Sequence, residues 1–274
     1  MRLGLASLTG GPRPVAEVDG RLLALEAPAG SSLLDLIVGG RAPSVDSGAE
    51  PLEDVRLLAP LRPPKIVAIG LNYLDHIRET GLEAPTRPLV FTKFTTSLIG
   101  DGDEIVIDRE LTARVDWEVE LGAVIGRRMS RVGVRDALDH VFGYTAANDV
   151  SARDLQFSDG QWVRAKSLDT FCPLGPVIVT ADEIPDPQRL ALSTRVNGET
   201  VQSSSTSEMI FGVAELLSFC SHSFALEPGD VVLTGTPWGC GEFMSPVRSL
   251  QAGDVVEVEV ERIGMLRNPV VELG

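Results

Sequence analysis

Residues 115–126 read Val-Asp-Trp-Glu-Val-Glu-Leu-Gly-Ala-Val-Ile-Gly, and this stretch decides the fold class. Its first half alternates. In an extended strand successive side chains point to opposite faces, so Trp117, Val119 and Leu121 share one face and Asp116, Glu118 and Glu120 the other. Its second half is apolar at consecutive positions, which suits a strand covered on both sides. Glu118 and Glu120 then stand side by side, and two such carboxylates repel unless something compensates. A hard divalent cation is one compensation, because Mg²⁺, Mn²⁺ and Ca²⁺ prefer oxygen ligands. The chain carries its own control: Glu257, Glu259 and Glu261 alternate with Val256, Val258 and Val260 in the same way. On spacing alone, a solvated strand face accounts for both sets. The apolar continuation is what tilts the first set toward burial.

Outward from this stretch, strand patterns dominate. Segments 65–70, 89–94, 104–107, 143–149, 175–180, 192–202, 230–235 and 254–264 all read as strands, and Asn197 with Gly198 is a favoured two-residue hairpin turn. Helix signals are fewer, at 72–80, 134–141 and 207–221, with Asn72 and Ser151 as candidate N-caps of helices that follow them. Regular strand–helix alternation is absent, so the pattern predicts a β-rich α+β fold, a sandwich or roll, rather than a doubly wound sheet. Residues 1–60 read as a small α/β unit of their own. They contain a hairpin around Asp19 and Gly20 and a short helix opened by Ser32 and closed by Gly39 and Gly40. Pro60, Pro63 and Pro64 mark the boundary with a larger unit, 61–274.

The 274 residues include 24 Lys+Arg against 39 Asp+Glu, a net charge of −15, with 43% hydrophobic residues. That composition is globular. The acidity argues against a nucleic-acid binder, which needs a basic surface to displace counterions, and against docking on anionic lipid. Cys172, Cys220 and Cys240 are odd in number and widely spaced, which indicates neither a disulfide framework nor a thiolate zinc site. No secretory signal and no apolar run of about 20 residues is present, so a cytoplasmic protein is the expectation.

Other segments carry chemistry. Asp149 ends the 143–149 strand and can add a third oxygen ligand or merely cap a turn. His76 and Glu79 are three apart, neighbours on one helical face. A carboxylate there orients an imidazole and raises its basicity, although a surface His–Glu pair has the same spacing. Lys166 sits in an apolar run, where partial burial makes it a fixed cation for an anionic substrate or enolate. The loop 234–243, Thr-Gly-Thr-Pro-Trp-Gly-Cys-Gly-Glu-Phe, can present backbone N–H groups and hydroxyls to a carboxylate. No HExxH, GxSxG or Walker pattern occurs, and His140 and His222 read as ordinary residues at helix ends.

Taken together, IGLNYLDHIRE, DWEVELGAVIG, GYTAANDVSARDLQ, AKSLDTFCPLGP, VNGETVQSSSTSEMIF and LEPGDVVLTGTPWG resemble the fumarylacetoacetate hydrolase family. The match is to its small-chain branch of acylpyruvases and fumarylpyruvate hydrolases. The resemblance covers roughly residues 65–271. It implies a β-sandwich roll with a small variable N-terminal domain, and commonly a homodimer. It implies that Glu118, Glu120 and Asp149 hold one Mg²⁺ or Mn²⁺ per subunit and that His76 and Glu79 form a water-activating dyad. By the same resemblance Lys166 stands beside the metal, Thr236 contacts a substrate carboxylate, and Arg153 and Gln156 line the site. The implied substrate is a small anionic keto acid. The implied reaction is hydrolysis of a C–C bond in an acylpyruvate or related β-diketo acid. A decarboxylase, isomerase or hydratase on an oxaloacetate-like or dienoate acid is the alternative. A metal-binding protein that has lost activity is a third possibility, disfavoured because every motif residue is present. Residues 79–94, with Pro85 and Pro88, resemble a family lid. Trp238 stands where many members carry a small residue, and is expected to narrow the pocket or stack on an unsaturated acyl chain.

Overall fold

All seven residues of the strand Val119–Ile125 are buried. The computed structural model describes residues 1–28 and 30–274 and places this strand inside its largest sheet. The order across that sheet is 21–24, 13–18, 2–6, 172–180, 141–148, 119–125, 231–233, 66–70 and 89–93. Neighbours along it are antiparallel except 231–233 with 66–70, which run parallel. A second, five-stranded sheet is ordered 199–205, 191–196, 255–260, 264–272 and 105–107. The fold is thus mixed α+β and strand-rich.

The consecutive apolar residues after Glu120 are explained by what covers each face. Val119, Leu121, Ala123 and Ile125 join a core with Leu192, Val196, Val256, Val258 and Val260 from the second sheet. Val124 faces the other way, into a cluster with Leu33, Leu36 and Ile37 of the N-terminal helix Leu33–Val38. Each such side chain contributes about 1.5–3 kcal/mol by leaving water, so both layers are needed to hold the strand. The N-terminal hairpin, Arg13–Val18 with Arg21–Ala24, lies beyond Arg2–Ala6, which pairs with Cys172–Thr180 in the large sheet. The helix 33–38 starts at Ser32, whose capping box with Asp35 satisfies the first free amides.

Three local expectations are corrected. Residues 115–125 do not form one strand. Val115–Asp116 pairs with Ser151–Ala152 in a separate two-stranded sheet, and the ladder resumes only at Val119. The break is made by side chains that take the backbone amides. Asp116 Oδ1 accepts from Trp117 N–H, Asn148 Oδ1 from Glu118 N–H, and Gln202 Oε1 from Val119 N–H. Asn72 does not cap the helix Leu74–Thr80, whose N-cap is Tyr73. Its buried amide instead donates to the carbonyls of Phe211 and Thr234 and accepts from Phe211 N–H. Ser151 does not cap the helix Arg153–Asp159 either; its hydroxyl donates to the Asp149 carbonyl.

Candidate active site

Strand register brings the three predicted carboxylates together. Val119 pairs with Asn148, so Glu118 and Asp149 lie opposite one another at the end of the ladder, joined by Asp149 N–H to Glu118 O at 2.8 Å. Glu120 is two residues further along the same edge. Carboxylate oxygens of Glu118, Glu120 and Asp149 all lie within 4.8 Å of one another, and all three residues are buried.

Buried cations surround them. Lys166, at the C-terminal end of the short helix Trp162–Ala165, donates to Glu118 Oε2 at 2.6 Å and Asp149 Oδ2 at 2.8 Å. Arg153 reaches Glu118 Oε1 at 2.7 Å and donates through Nε to Asp116 Oδ2 at 2.8 Å. Lys93, fully buried on the strand Leu89–Lys93, donates to Asp149 Oδ1 at 2.5 Å and to the Lys166 carbonyl. The charges act in opposite directions on neighbouring groups. Burial alone would raise the Glu118 carboxyl, but Lys166 and Arg153 draw it down to about 2. Glu120 is held well above the usual carboxylate range, first by burial and then by the charges of Asp149 and Glu118. For Lys166, burial works against the ammonium, while Asp149 and Glu118 outweigh it and raise its proton affinity.

Four buried carboxylates, Asp116, Glu118, Glu120 and Asp149, thus face three buried cations. Glu120 Oε2 takes one hydrogen bond, from Gly235 N–H at 2.7 Å, and no ammonium or guanidinium among the described residues pairs with it. An all-oxygen donor set with surplus negative charge fits a hard divalent ion rather than one that seeks thiolates. Each carboxylate oxygen has two lone pairs, so the ion pairs to Lys166 and Arg153 leave acceptor capacity.

The predicted dyad is formed. His76 Nδ1 lies 2.9 Å from Glu79 Oε2, and Gly239 N–H donates to the other carboxylate oxygen of Glu79 at 2.9 Å. This fixes the imidazole by its Nδ1 side and leaves Nε2 for the cleft. Phe243 packs edge-on against the His76 ring with centroids 5.4 Å apart. The helix carrying the dyad is tied down by Ser204 Oγ to Asp75 at 2.5 Å and by Arg78 to Glu208.

His76, Glu118, Arg153, Gln156, Lys166 and Thr236 all line one cleft, which holds about 550 Å³ of empty space, part of it open to solvent. Glu79, Glu120 and Asp149 stand behind this lining. Two expectations about the loop 234–243 change. Its amides serve the protein's own carboxylates: Gly235 that of Glu120, Gly239 that of Glu79, Gly241 that of Asp116. Trp238 is not a wall of the cleft. It is 45% exposed and its Nε1–H donates to the Ser203 carbonyl at 3.0 Å.

Three residues of the site were missed in the sequence. Lys93 had a signal, a lysine closing a mostly apolar strand, Leu-Val-Phe-Thr-Lys. Asp116 was grouped with Glu118 and Glu120, yet it binds Arg153 and the amides of Trp117, Gly241 and Glu242. Gln202 donates to Thr236 Oγ1 at 3.0 Å and accepts from Val119 N–H and Thr194 Oγ1. Nothing local distinguishes it from a solvated strand glutamine.

With this geometry in place, comparison with known proteins is decisive for the family. Residues 65–271 match the Fumarylacetoacetate (FAA) hydrolase C-terminal family. The chain belongs to the fumarylacetoacetate hydrolase family. It is 48% identical over 221 residues to the mitochondrial oxaloacetate tautomerase of Xenopus laevis, covering 80% of this chain and 69% of that one. Among solved structures it resembles the fumarylacetoacetate hydrolase of psychrophilic Exiguobacterium antarcticum, at 42% identity, TM-score 0.93 and full coverage of both chains. It also resembles the 5-carboxymethyl-2-hydroxymuconate delta-isomerase of Mycobacterium smegmatis, at 40% identity and TM-score 0.85, again over both whole chains. As a family member the protein is an enzyme, and the small-chain branch is consistent with these neighbours. Among the described residues no helix is long and apolar enough to cross a membrane.

Proposed function

We propose that this enzyme moves a proton at the carbon next to the ketone of an α-keto acid, with His76 as the proton carrier. The observation that supports this most is a single buried imidazole, oriented by Glu79, on the same cleft as Glu118 of the carboxylate cluster. Glu118, Glu120 and Asp149 would hold a divalent ion, Mg²⁺ or Mn²⁺. When bound, that ion supplies Lewis acidity and fixed positive charge beside the substrate's oxygens. The chain's own residues do the rest. Arg153, Gln156 and Thr236 receive the carboxylate of the keto acid. Lys166, its ammonium held by two carboxylates, serves as a fixed cation facing the negative charge that develops on the ketone oxygen. His76 Nε2 removes the proton from carbon and returns it, and Glu79 balances the imidazolium that forms in between.

The names of the relatives, an oxaloacetate tautomerase and a muconate isomerase, agree with such proton transfer. C–C hydrolysis of an acylpyruvate is the second reading. It is favoured by the similarity to the Exiguobacterium hydrolase along the whole chain. There His76 takes the proton from water, the hydroxide adds to the distal carbonyl, and the C–C bond breaks to give a carboxylic acid and pyruvate. The test is ¹H NMR in D₂O with Mg²⁺: exchange of the C3 protons of pyruvate and oxaloacetate is expected to depend on enzyme and on His76. Exchange no faster than with Mg²⁺ alone sinks the proposal. Two acid fragments from an acylpyruvate establish the hydrolytic reading.

A further inference from the structure

The residues that line the cleft separate by exposure. Glu118, Arg153, Gln156, Lys166, Thr236 and His76 are buried and form a polar floor. Phe91, Phe157, Trp162 and Phe243, with Leu71 and Leu82, are part- or well-exposed and form the mouth. Phe157 is 59% exposed and Phe243 36%, large exposure for aromatic rings.

The rings are arranged as a collar. Trp162 meets Phe91 edge to face with centroids 5.4 Å apart, a preferred aromatic geometry. Lys166 Nζ lies 5.3 Å from the Phe91 ring centroid, so this ring also joins mouth to floor. Trp162 can approach because residue 70 is glycine: a Cβ there would come within 2.2 Å of the indole. The cations lining this cleft are Arg153 and Lys166, both buried at the floor and both already paired with carboxylates. At the rim the Arg114 guanidinium lies 5.9 Å from the Phe157 ring centroid and is already paired with Glu242.

Charge balance points the same way. The buried cluster carries one more carboxylate than cation. A divalent ion with one substrate carboxylate brings it to neutrality, whereas a dicarboxylate leaves one surplus negative charge.

We infer that the mouth of the cleft takes an uncharged planar tail, aromatic or conjugated, so that the preferred substrate is a monoanionic α-keto acid with such a tail. This rests on the keto-acid reading above and deepens it. It reassigns to Trp162 and Phe157 the stacking role that the sequence placed on Trp238.

Three probes share one head and differ at C3. Pyruvate carries hydrogen there, oxaloacetate a carboxylate, and phenylpyruvate a phenyl ring. Binding to the Mg²⁺-loaded protein is read by calorimetry and tryptophan fluorescence, and C3 exchange separately by NMR. Phenylpyruvate is expected to bind roughly tenfold more tightly than oxaloacetate. Trp162→Ala removes that margin, weakening phenylpyruvate far more than pyruvate. Phe157→Ala, on an exposed ring whose loss spares the core, reduces the margin roughly two- to threefold. The inference is overturned if oxaloacetate binds as tightly as phenylpyruvate, if phenylpyruvate does not bind, or if Trp162→Ala weakens all three alike. Preference without exchange keeps the collar and removes the keto-acid chemistry. Exchange without preference does the reverse.

Discussion

Two stretches of this chain have the same alternation of valine and glutamate and opposite fates. In Val255–Val260 the side chains of Val256, Val258 and Val260 enter the core while Glu257 and Glu259 remain partly in solvent, paired with Arg195 at 3.1 and 3.0 Å. Around Val119 the carboxylates of Glu118 and Glu120 are buried as deeply as the valine. The difference lies in what is brought against the polar face. The second sheet leaves its glutamates to water and surface arginines. The large sheet lays Lys166, Lys93 and Arg153 over Glu118 and Asp149, from segments distant in sequence. Alternation therefore reports which residues share a face. Burial of that face is a tertiary property.

The comparison can be broken most forcefully at the dyad. His76→Ala is expected to lower turnover by about 10²–10⁴-fold, with Mg²⁺ binding by calorimetry retained. Turnover that survives this change would remove His76 from the chemistry and, with it, the functional contrast between the two regions. Next comes Lys93→Met, which strips Asp149 of a buried ammonium and is expected to cost about 3–5 kcal/mol in urea denaturation. Arg195→Met, the matching loss on the second sheet, should cost below about 1 kcal/mol. Equal costs would show that burial does not separate the two regions.

Glu120 sharpens the comparison through pH. Its folded carboxyl sits well above its unfolded value, so its contribution is fully present below the unfolded value and is lost as pH rises toward the folded one. Glu118 runs the other way. Its folded value of about 2 means that its contribution is present above the ordinary glutamate range and is lost as pH falls toward 2. Metal-free protein should therefore be destabilised by Glu120 at neutral pH. In EDTA at pH 7, Glu120→Gln is expected to raise stability by on the order of 2 kcal/mol and to abolish the rise in Tm that Mg²⁺ gives the parent protein. A fall in Tm in EDTA would mean that Glu120 is already compensated. The smallest effect belongs to Glu257→Gln, expected to change stability by less than about 1 kcal/mol and the Mg²⁺ response not at all.

Much of this was legible in the residues. Strand dominance without helical alternation gave the β-rich class, and the apolar run after Glu120 announced a strand covered on both faces. The convergence of Glu118, Glu120 and Asp149 was carried by motif resemblance, because their proximity depends on the Val119–Asn148 register, which no local pattern encodes. What escaped depends on long-range partners. The interruption after Asp116 is held at Glu118 and Val119 by Asn148 and Gln202, distant in the chain. Asn72 resembles a helix cap until Phe211 and Thr234 are brought to it. Trp238 resembles a pocket wall until the Ser203 carbonyl claims its indole.

The loop that follows Thr234 has a consequence for synthesis. Its amides are the partners of groups made much earlier, with Gly239 serving Glu79 and Gly241 serving Asp116, 160 and 125 residues upstream. A chain emerging from the ribosome carries these carboxylates without the loop's amides until residues 239 and 241 have been made. A stop before residue 241 removes the Gly241 amide from Asp116 and, with it, the third and fourth strands of the second sheet, 255–260 and 264–272.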